Sequence, residues 1–212
     1  MKNIVVALFL LVVINGYSQK KESLFNGKDL SGWTIFVNDP AVKPEKFFYV
    51  NNGVIETVGV PMGYLRTKKE YSNYRLHVEW CYPEKPTNSG VFVHTNGPDL
   101  LWPKHYQCQL KTLCAGDFIV NAVGEKATAG DSIYIGTEKV KPIAVKLKPC
   151  NEKPVGEWNS YDIVCKGSTV EVSVNGLLQN TIKDCSTTKG SIGLQAEVSR
   201  IQFRNLWVEK IK

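Results

Sequence analysis

Short runs in which apolar and polar residues alternate fill most of the chain, and they limit its fold more than any other feature. The clearest case is TVEVSVNGLLQNTI, residues 169–182, where two alternating runs flank Asn175-Gly176. Period-two alternation is typical of half-buried β-strands, and an Asn-Gly pair between two such runs indicates a hairpin turn. No long amphipathic helix is predicted. The sequence therefore predicts a chain built mainly of antiparallel strands.

About ten strands of this kind follow one another without an internal repeat or a Pro- or Gly-rich linker. We therefore predict an all-β fold, an antiparallel sandwich or jelly roll, as a single domain. Residues 121–157 interrupt the pattern with small residues, prolines and lysines, and predict a long surface excursion of a kind that is often functional. The other candidate strands are FFYV, GVIETV, YSNYRLHVEW, SGVFVHT, HYQCQL, SYDIVCKG, SIGLQAE and RIQFRNLWV.

The first eighteen residues differ from the rest. Lys2 precedes an apolar run over residues 4–14, and the small residues Gly16 and Ser18 follow it. This order is typical of a secretory signal, and the run is shorter than the roughly 20 residues of a membrane-spanning helix. We expect a signal peptide at residues 1–18, a domain at 19–212, a periplasmic or secreted location, and no membrane association after cleavage.

Charge and motifs narrow the function. The net charge is +6 and the lysines are scattered, without a basic aromatic stripe, so a nucleic-acid partner is not predicted. No Ser-His-Asp order, phosphate loop or dinucleotide fingerprint is present. The oligomeric state is left open.

All six cysteines lie beyond the predicted signal. Export favours disulfides, and six cysteines allow 15 pairings. Cys165 and Cys185 flank the predicted hairpin and Cys114 and Cys150 bracket a loop-rich segment, so these pairs are the working hypotheses, which leaves Cys81 with Cys108. Zinc is the rival, although no CxxC or histidine spacing supports it.

Four predicted strands carry long polar side chains on one alternation. The predicted core-facing residues of these strands are Tyr74, Leu76, Val78, Trp80, Tyr106, Cys108, Leu110, Ile192, Leu194, Ala196, Ile201, Phe203, Asn205 and Trp207. The opposite alternation holds Arg75, His77, Glu79, Gln107, Gln109, Gln195, Glu197, Gln202 and Arg204. Whether Gln202 and Arg204 share the face of Glu197 depends on the corner at residues 198–200, where a bulge would reverse their side.

Long amides, carboxylates and arginines can bridge many hydroxyl groups, and Trp102 and Tyr64 could stack on a sugar ring from the flanking loops. The pattern fits a carbohydrate site, and a solvated outer sheet with cross-strand polar pairs fits it equally well. The roles of single residues are equally undecided. His94 could transfer a proton or hold a loop, Glu79 could be a base or an arginine partner, and Arg66 could bind a hydroxyl or cap a turn.

The chain also resembles a known family. The segments that carry the resemblance are LFNGKDLSGW, GYLRTKKEYSNYRLHVEW, NSGVFVH, WPKHYQCQL, GDF, EWNSYDIVCKG, VNGLLQN, GSIGLQAE and IQFRN. In this order they are similar to the 3-keto-disaccharide hydrolase domain family over nearly the whole chain after the signal. The resemblance implies a concanavalin A-like jelly-roll β-sandwich, an exported location, and action on glycosides whose glucose ring is oxidised at C3.

A ketone at C3 acidifies the C2 proton, so a base can form an enolate and expel the C1 substituent, with water added later. Such a site needs a base, stabilisation of the enolate oxygen, and an acid for the leaving group. On the resemblance we assign Glu79 or Glu197 as base and His94 as the other proton-transfer group. Arg66 or Arg204 would steady the enolate or hydroxyls. Gln107, Gln109, Gln195 and Trp102 would bind substrate. A divalent metal could replace the arginine, with no ligands assigned.

One position departs from the family pattern. Many relatives have a glutamate in the strand before GDF, in a pattern like E-x-Q, where this chain has Gln107-Cys108-Gln109. If that glutamate is catalytic, this chain binds sugar without cleaving it. A lectin-like protein and a structural or adhesive surface domain are therefore the alternatives to an enzyme.

Overall fold

A computed structural model describes residues 20–212, so the predicted signal at 1–18 lies outside the described residues. Seventeen strands and one short helix, α1 at Pro44–Phe47, make up the described chain. The strands are β1 Lys21–Ser23, β2 Trp33–Val37, β3 Phe48–Asn51, β4 Val54–Thr57, β5 Gly63–Thr67, β6 Tyr74–Cys81, β7 Gly90–Asn96, β8 Lys104–Gln109, β9 Phe118–Asn121, β10 Lys126–Ala129, β11 Ser132–Ile135, β12 Ile143–Ala144, β13 Asn159–Lys166, β14 Thr169–Val174, β15 Leu177–Ile182, β16 Ser191–Ala196 and β17 Ile201–Lys210.

The strands form two antiparallel sheets that pack face to face. The seven-stranded sheet has the order β12-β9-β8-β7-β16-β5-β2. The eight-stranded sheet has the order β15-β14-β13-β6-β17-β4-β3, and β1 also pairs with β17. The small hairpin β10-β11 stands apart. This is the predicted all-β sandwich.

The core lies between the two sheets and is made by one alternation of each strand, as predicted for most of them. Leu76, Val78, Leu194 and Phe203 are fully buried there. Burying one such side chain contributes roughly 1.5–3 kcal/mol, so the alternation of the sequence, summed over the strands, fixes which face turns inward. The other face of each sheet is left for polar groups.

The predicted hairpin at Asn175-Gly176 is confirmed. β14 pairs with β15, and both turn residues have positive φ, 47° at Asn175 and 80° at Gly176. Asparagine and glycine tolerate this left-handed conformation, which a two-residue hairpin turn requires.

The predicted core face of the last strand is wrong in its second half. The register of β17 against β6 shifts between Arg204 and Trp207, and Asn205 has a φ of 49°. This bulge adds one residue and reverses the alternation, so Leu206 and Val208 are buried while Asn205 is exposed and Trp207 lies on the outer face.

The predicted excursion at 121–157 is less irregular than expected. It contains the β10-β11 hairpin and the two-residue strand β12, whose Ile143 pairs with Ile119 of β9. The amide of Val120 also donates to the carbonyl of Pro142, at 3.1 Å. The excursion is therefore tied to the edge of the seven-stranded sheet.

The predicted disulfides are wrong, because all six cysteines are free in the structure. Cys108, Cys165 and Cys185 are core side chains, and burial raises the pKa of the Cys165 and Cys185 thiols to about 12, which keeps them protonated. The Cys150 thiol lies 3.7 Å from a Glu152 carboxylate oxygen instead of bonding Cys114, and Cys81 and Cys108 are likewise unbonded. No helix within residues 20–212 is long and apolar enough to cross a membrane.

Candidate functional site

A cavity of about 190 Å³ opens on the outer face of the seven-stranded sheet. Its polar wall consists mainly of the amide side chains of Asn88, Gln107, Gln109, Asn121 and Gln195. Among the described residues that line it, only Glu197 and Lys141 are ionisable. This cavity, called the amide pocket below, brings together five residues that the sequence predicted for a sugar site: Gln107, Gln109, Gln195, Glu197 and Trp102.

Strand alternation places the floor of the amide pocket. Gln107 and Gln109 point outward from β8 because the intervening Cys108 packs in the core. Gln195 points outward from β16 in the same way, between the core residues Leu194 and Ala196. Glu197 follows directly on β16, and its backbone bridges to that of Asn88.

Hydrogen bonds join these side chains into a fixed row. Gln107 Nε2 donates to the side-chain oxygens of Gln109, at 3.1 Å, and Gln195, at 3.2 Å. Gln195 Nε2 donates to Glu197 Oε2 at 2.7 Å, and Asn88 Nδ2 donates to the same oxygen at 2.9 Å. Because each partner fixes the next, the row holds its side chains in one arrangement before any ligand arrives.

The row leaves particular atoms unused. Within residues 20–212, Glu197 Oε1 and Gln109 Nε2 have no hydrogen-bond partner, and Asn88 Oδ1 is buried without one. A buried polar atom without a partner costs free energy, about 1–3 kcal/mol by analogy with other proteins, unless a ligand or water satisfies it. Gln107 Oε1 and Asn121 Oδ1 likewise have no hydrogen-bond partner within the described residues, so the pocket offers a carboxylate oxygen, an amide donor and amide acceptors to a ligand.

Asn121 lines the pocket and is bonded to the buried His105 beneath it, and both residues were missed from the sequence. His105 lies on β8 on the same alternation as Gln107, stacks on Phe92 at 3.8 Å, and lies 2.9 Å from Asn121 Nδ2 through Nε2. Burial lowers the pKa of His105 to about 3, so the ring is neutral and accepts the amide proton. Alternation alone could have placed His105 on this face, whereas its pairing with Asn121 needed the sheet order.

Trp102 and Lys141 form one side of the amide pocket. The Lys141 ammonium lies over the Trp102 ring, 3.9 Å from its centroid, and Ile143 follows Lys141 along the excursion. Partial burial lowers the pKa of Lys141, although the charge of Glu197 opposes this shift. The sequence pointed only to the excursion as a functional segment, because nothing in the local pattern singles out one of its lysines.

Arg66 and Tyr64 lie on β5, next to β16, with their side chains already engaged. Arg66 makes a bidentate ion pair with Asp99, at 2.6 and 2.9 Å, and the Tyr64 hydroxyl donates to the same carboxylate. Tyr64 is a buried strand residue that stacks on Phe36, and so it is not the loop platform that the sequence suggested. These residues support the pocket from beside it.

Glu79, predicted as base as an alternative to Glu197, and Arg204, predicted as enolate partner as an alternative to Arg66, are not in the amide pocket. Both lie on the outer face of the eight-stranded sheet, on β6 and β17. Arg204 donates to Glu79 at 2.6 Å, and Asn205 donates to the other oxygen at 2.9 Å. The chain crosses between the sheets after β16, at Val198 with its φ of 68°, which separates this pair from Glu197 by the whole core.

His94, predicted as a proton-transfer group, faces the core. The register of β7 against β8 shifts between Val93 and Asn96, and His94 has a φ of 54°, so its ring turns inward to contact Tyr74 and Tyr106 edge-on. Its Nδ1 lies 3.0 Å from the carbonyl of Thr187, and burial lowers its pKa to about 4. We therefore leave Glu79, Arg204 and His94 out of the candidate site.

Three larger cavities, of about 220, 250 and 280 Å³, open elsewhere, and their acidic groups are already paired except for the exposed Glu157. In the cavity of about 250 Å³, Glu152 accepts from the amide of Ala115, and in that of about 280 Å³ Glu22 pairs with Lys69. Across residues 20–212 no group of three or more His, Cys, Asp or Glu side chains is arranged to hold a metal ion. The amide pocket combines a free carboxylate oxygen with a cation and unpaired amides, a set that can bind hydroxyls and move a proton.

Solved structures place the fold among the jelly-roll sandwiches of glucanase and galectin type. A Parabacteroides distasonis protein provisionally named as a glycosyl hydrolase superposes with a TM-score of 0.66 at 23% identity, covering 91% of this chain and 94% of that one. The carbohydrate-binding module CBM66 from Bacillus subtilis gives 0.57 at 10% identity over 84% and 96%. A Bacillus licheniformis β-glucanase gives 0.56 at 12% identity over 92% and 98%. These likenesses show the fold alone.

Sequence comparison is more specific. Residues 20–209 match the family described as the 3-keto-alpha-glucoside-1,2-lyase-like domain, and the chain belongs to this family. The resemblance drawn from the sequence motifs is thereby confirmed. No curated protein gives a significant match.

Proposed function

We propose that the protein cleaves glycosides of 3-keto-glucose by elimination across C1 and C2, with Glu197 as the base that removes the C2 proton. The observation that carries the proposal is the state of Glu197. Its Oε2 is held by two amide donors while its Oε1 has no partner within the described residues, and Glu197 lines the amide pocket. The family, named for a 3-keto-glucoside 1,2-lyase, supports the choice of substrate class.

The chemistry explains why one free carboxylate oxygen suffices. The C3 ketone makes the C2 proton acidic, so its removal gives an enolate without an oxocarbenium ion. An ordinary glycosidase instead needs two carboxylates across the scissile bond. Glu197 is the only carboxylate among the described lining residues, which fits the elimination and does not fit the two-carboxylate route.

The amides supply the remaining contacts in this proposal. Gln109 Nε2, unpaired within the described chain, is a donor for the ketone oxygen as charge develops on it. Gln107 Oε1 and Asn121 Oδ1, which have no partner within the described chain, are acceptors for sugar hydroxyls. Gln107 takes part in the row as a donor to both neighbouring glutamines, so the glutamate that relatives have at this position is not needed to hold the row together.

Glu197→Gln tests the proposal. The substitution keeps the shape of the side chain and an oxygen for Asn88 and Gln195, and removes the base. Because general base catalysis contributes typically about 10²–10⁴-fold, we expect kcat for methyl 3-keto-α-glucoside to fall by at least about 10²-fold, with methanol release as the measurement.

Glu79→Gln is the matched control, since it makes the same substitution at a carboxylate on the outer face of the other sheet. Its turnover should stay within about twofold of the wild type. Full turnover by the Glu197 variant would remove this residue from the mechanism. Saturable sugar binding by a wild type that releases no methanol would instead establish a lectin-like protein, the alternative that Gln107 raised.

A further inference from the structure

Lys141 is the one cationic group of the amide pocket among its described lining residues. Its ammonium makes no ion pair and no side-chain hydrogen bond within residues 20–212, and it rests on the Trp102 ring. The other basic residues near the two faces are committed elsewhere, Arg66 to Asp99 and Arg204 to Glu79. A cation without a carboxylate partner at the wall of a pocket is free to act on a ligand.

The backbone around Lys141 is fixed on both sides. Before it, Thr137 and Val140 close a turn through the hydrogen bond from the Thr137 amide to the Val140 carbonyl, at 2.9 Å. After it, Pro142 accepts from Val120 and β12 pairs with β9. The Trp102 ring then holds the ammonium by a cation–π contact, 3.9 Å from its centroid. Lys141 is thereby kept beside the pocket.

The proposed elimination needs a second proton-transfer group. Glu197 takes the C2 proton, and the electrons of the C2–H bond form the enolate on C2, C3 and the C3 oxygen. When the C1–O bond breaks, the C3 ketone reforms, a C1–C2 double bond appears, and the departing oxygen must gain a proton. An alkoxide expelled without one is a poor leaving group, and no second acid lies among the described lining residues.

We propose, on the basis of the proposed function, that Lys141 is this acid and donates a proton to the glycosidic oxygen as the C1–O bond breaks. The proton balance closes, because Glu197 gains one proton and Lys141 loses one, and exchange with solvent restores both. Lys141 and Glu197 are then the two proton-transfer groups of one pocket, one contributed by the excursion and one by the sheet.

The partial burial described above suits Lys141 to this role. An ammonium with a lowered pKa gives up its proton more readily near neutral pH than an ordinary surface lysine. A guanidinium at the same place would keep the positive charge but could not donate its proton. The difference between a proton donor and a mere positive charge can therefore be measured by substitution.

The experiment compares Lys141→Met and Lys141→Arg with Lys139→Met, which removes an exposed lysine of the same excursion. Two substrates are used, the methyl and the 4-nitrophenyl 3-keto-α-glucosides, because nitrophenolate leaves without protonation. For the methyl substrate we expect both Lys141 variants to lose about 10²-fold in kcat/KM. For the nitrophenyl substrate the loss should stay below about tenfold, and Lys139→Met should match the wild type on both.

A second measurement follows exchange of the C2 hydrogen in D₂O by NMR. It should persist in both Lys141 variants and vanish in Glu197→Gln, because forming the enolate needs the base and not the acid. Recovery of the methyl substrate's rate by Lys141→Arg, or equal losses on both substrates, would overturn the role of Lys141 while leaving the proposed function intact. A wild type that neither exchanges C2 nor releases an aglycone would refute both proposals.

Discussion

The outer faces of the two sheets look alike in sequence and differ in how their polar groups are used. On the eight-stranded sheet, Glu79 binds Arg204 and Asn205, and Asp162 binds Arg75 and His77. On the seven-stranded sheet the amide pocket has a row of amides that ends in a carboxylate, with atoms left unpaired. The first face is complete by itself, and the second is arranged to receive a ligand.

Polar side chains on a strand indicate a functional site when they are left unpaired, and not when they pair with each other. Arginine and glutamate on neighbouring strands neutralise each other, and such pairs on a surface contribute little beyond solubility and modest stability. Glutamine and asparagine carry no charge to pair with a carboxylate, and within residues 20–212 one oxygen of Glu197 is left without a partner. A lone carboxylate among amides is therefore a better indicator of a site than a dense set of charges.

Removing one glutamine from each outer face tests most directly whether the two faces differ in function. Gln195→Ala takes a partner from both Gln107 and Glu197, whereas Gln202→Ala removes one bond to Glu56. Leaving buried partners unsatisfied costs about 1–3 kcal/mol, so Gln195→Ala should raise the Kd for a 3-keto-glucoside about tenfold or more and lower the unfolding free energy by about 2 kcal/mol.

Isothermal titration calorimetry and urea unfolding measure the two effects. Gln202→Ala should leave the Kd within about twofold, because its side chain lies on the other sheet. An equal loss of sugar affinity in both variants would show that the faces do not differ in function.

The paired charges of the eight-stranded sheet predict that the stability contributed by Asp162 depends on pH. The hydrogen bond from His77 lowers its pKa, which partial burial opposes and Arg75 reinforces. A carboxyl whose folded pKa is depressed adds stability above its unfolded pKa of about 3.9, and this stability is lost as the pH falls through the folded value. Asp162→Asn should therefore cost roughly 1 kcal/mol at pH 6 and approach zero cost near pH 2.

Urea unfolding at a series of pH values follows this difference. Asp131→Asn is the control, because the Asp131 side chain, in the turn of the β10-β11 hairpin, makes no hydrogen bond or ion pair with the described residues. A deficit in Asp162→Asn that does not change with pH would mean that packing, and not the paired charge, carries the contribution.

The smallest effect is the coupling between Glu79 and Arg204. A double-mutant cycle with Glu79→Gln and Arg204→Met keeps an apolar stem on the Trp158 ring, over which the guanidinium lies at 3.9 Å. Exposed pairs couple by about 0.2–1 kcal/mol, so we expect about 0.5 kcal/mol in unfolding free energy and no change in turnover. A loss of turnover in this cycle would return the pair to the candidate site.

Alternation made the sandwich, the hairpin at Asn175-Gly176 and the row of Gln107, Gln109, Gln195 and Glu197 predictable, because burial forces every second side chain of a strand to one face. Alternation cannot say which strands share a sheet. Glu79 and Arg204 were therefore grouped with a face on which they do not lie.

Bulges are the second reason that sequence interpretation failed. One extra residue in a strand moves every later side chain to the opposite face of the sheet. The apolar residues around His94 and Asn205 show no pattern that predicts such a bulge. Lys141 was missed for a third reason, since its position depends on the pairing of the short strand β12 with a sheet edge far away in sequence.

That pairing has a consequence for how such a pocket can change. Only two residue pairs join β12 to β9, while Gln107, Gln109 and Gln195 belong to the interior strands β8 and β16, and Glu197 directly follows β16. Insertions or replacements in the excursion can therefore exchange the acid without disturbing the sheet that supports Glu197. In the proposed reaction, proton abstraction depends on the sheet and protonation of the leaving group depends on the excursion, so the two can change separately. One scaffold can therefore keep the same proton abstraction while the glycosides that it accepts vary.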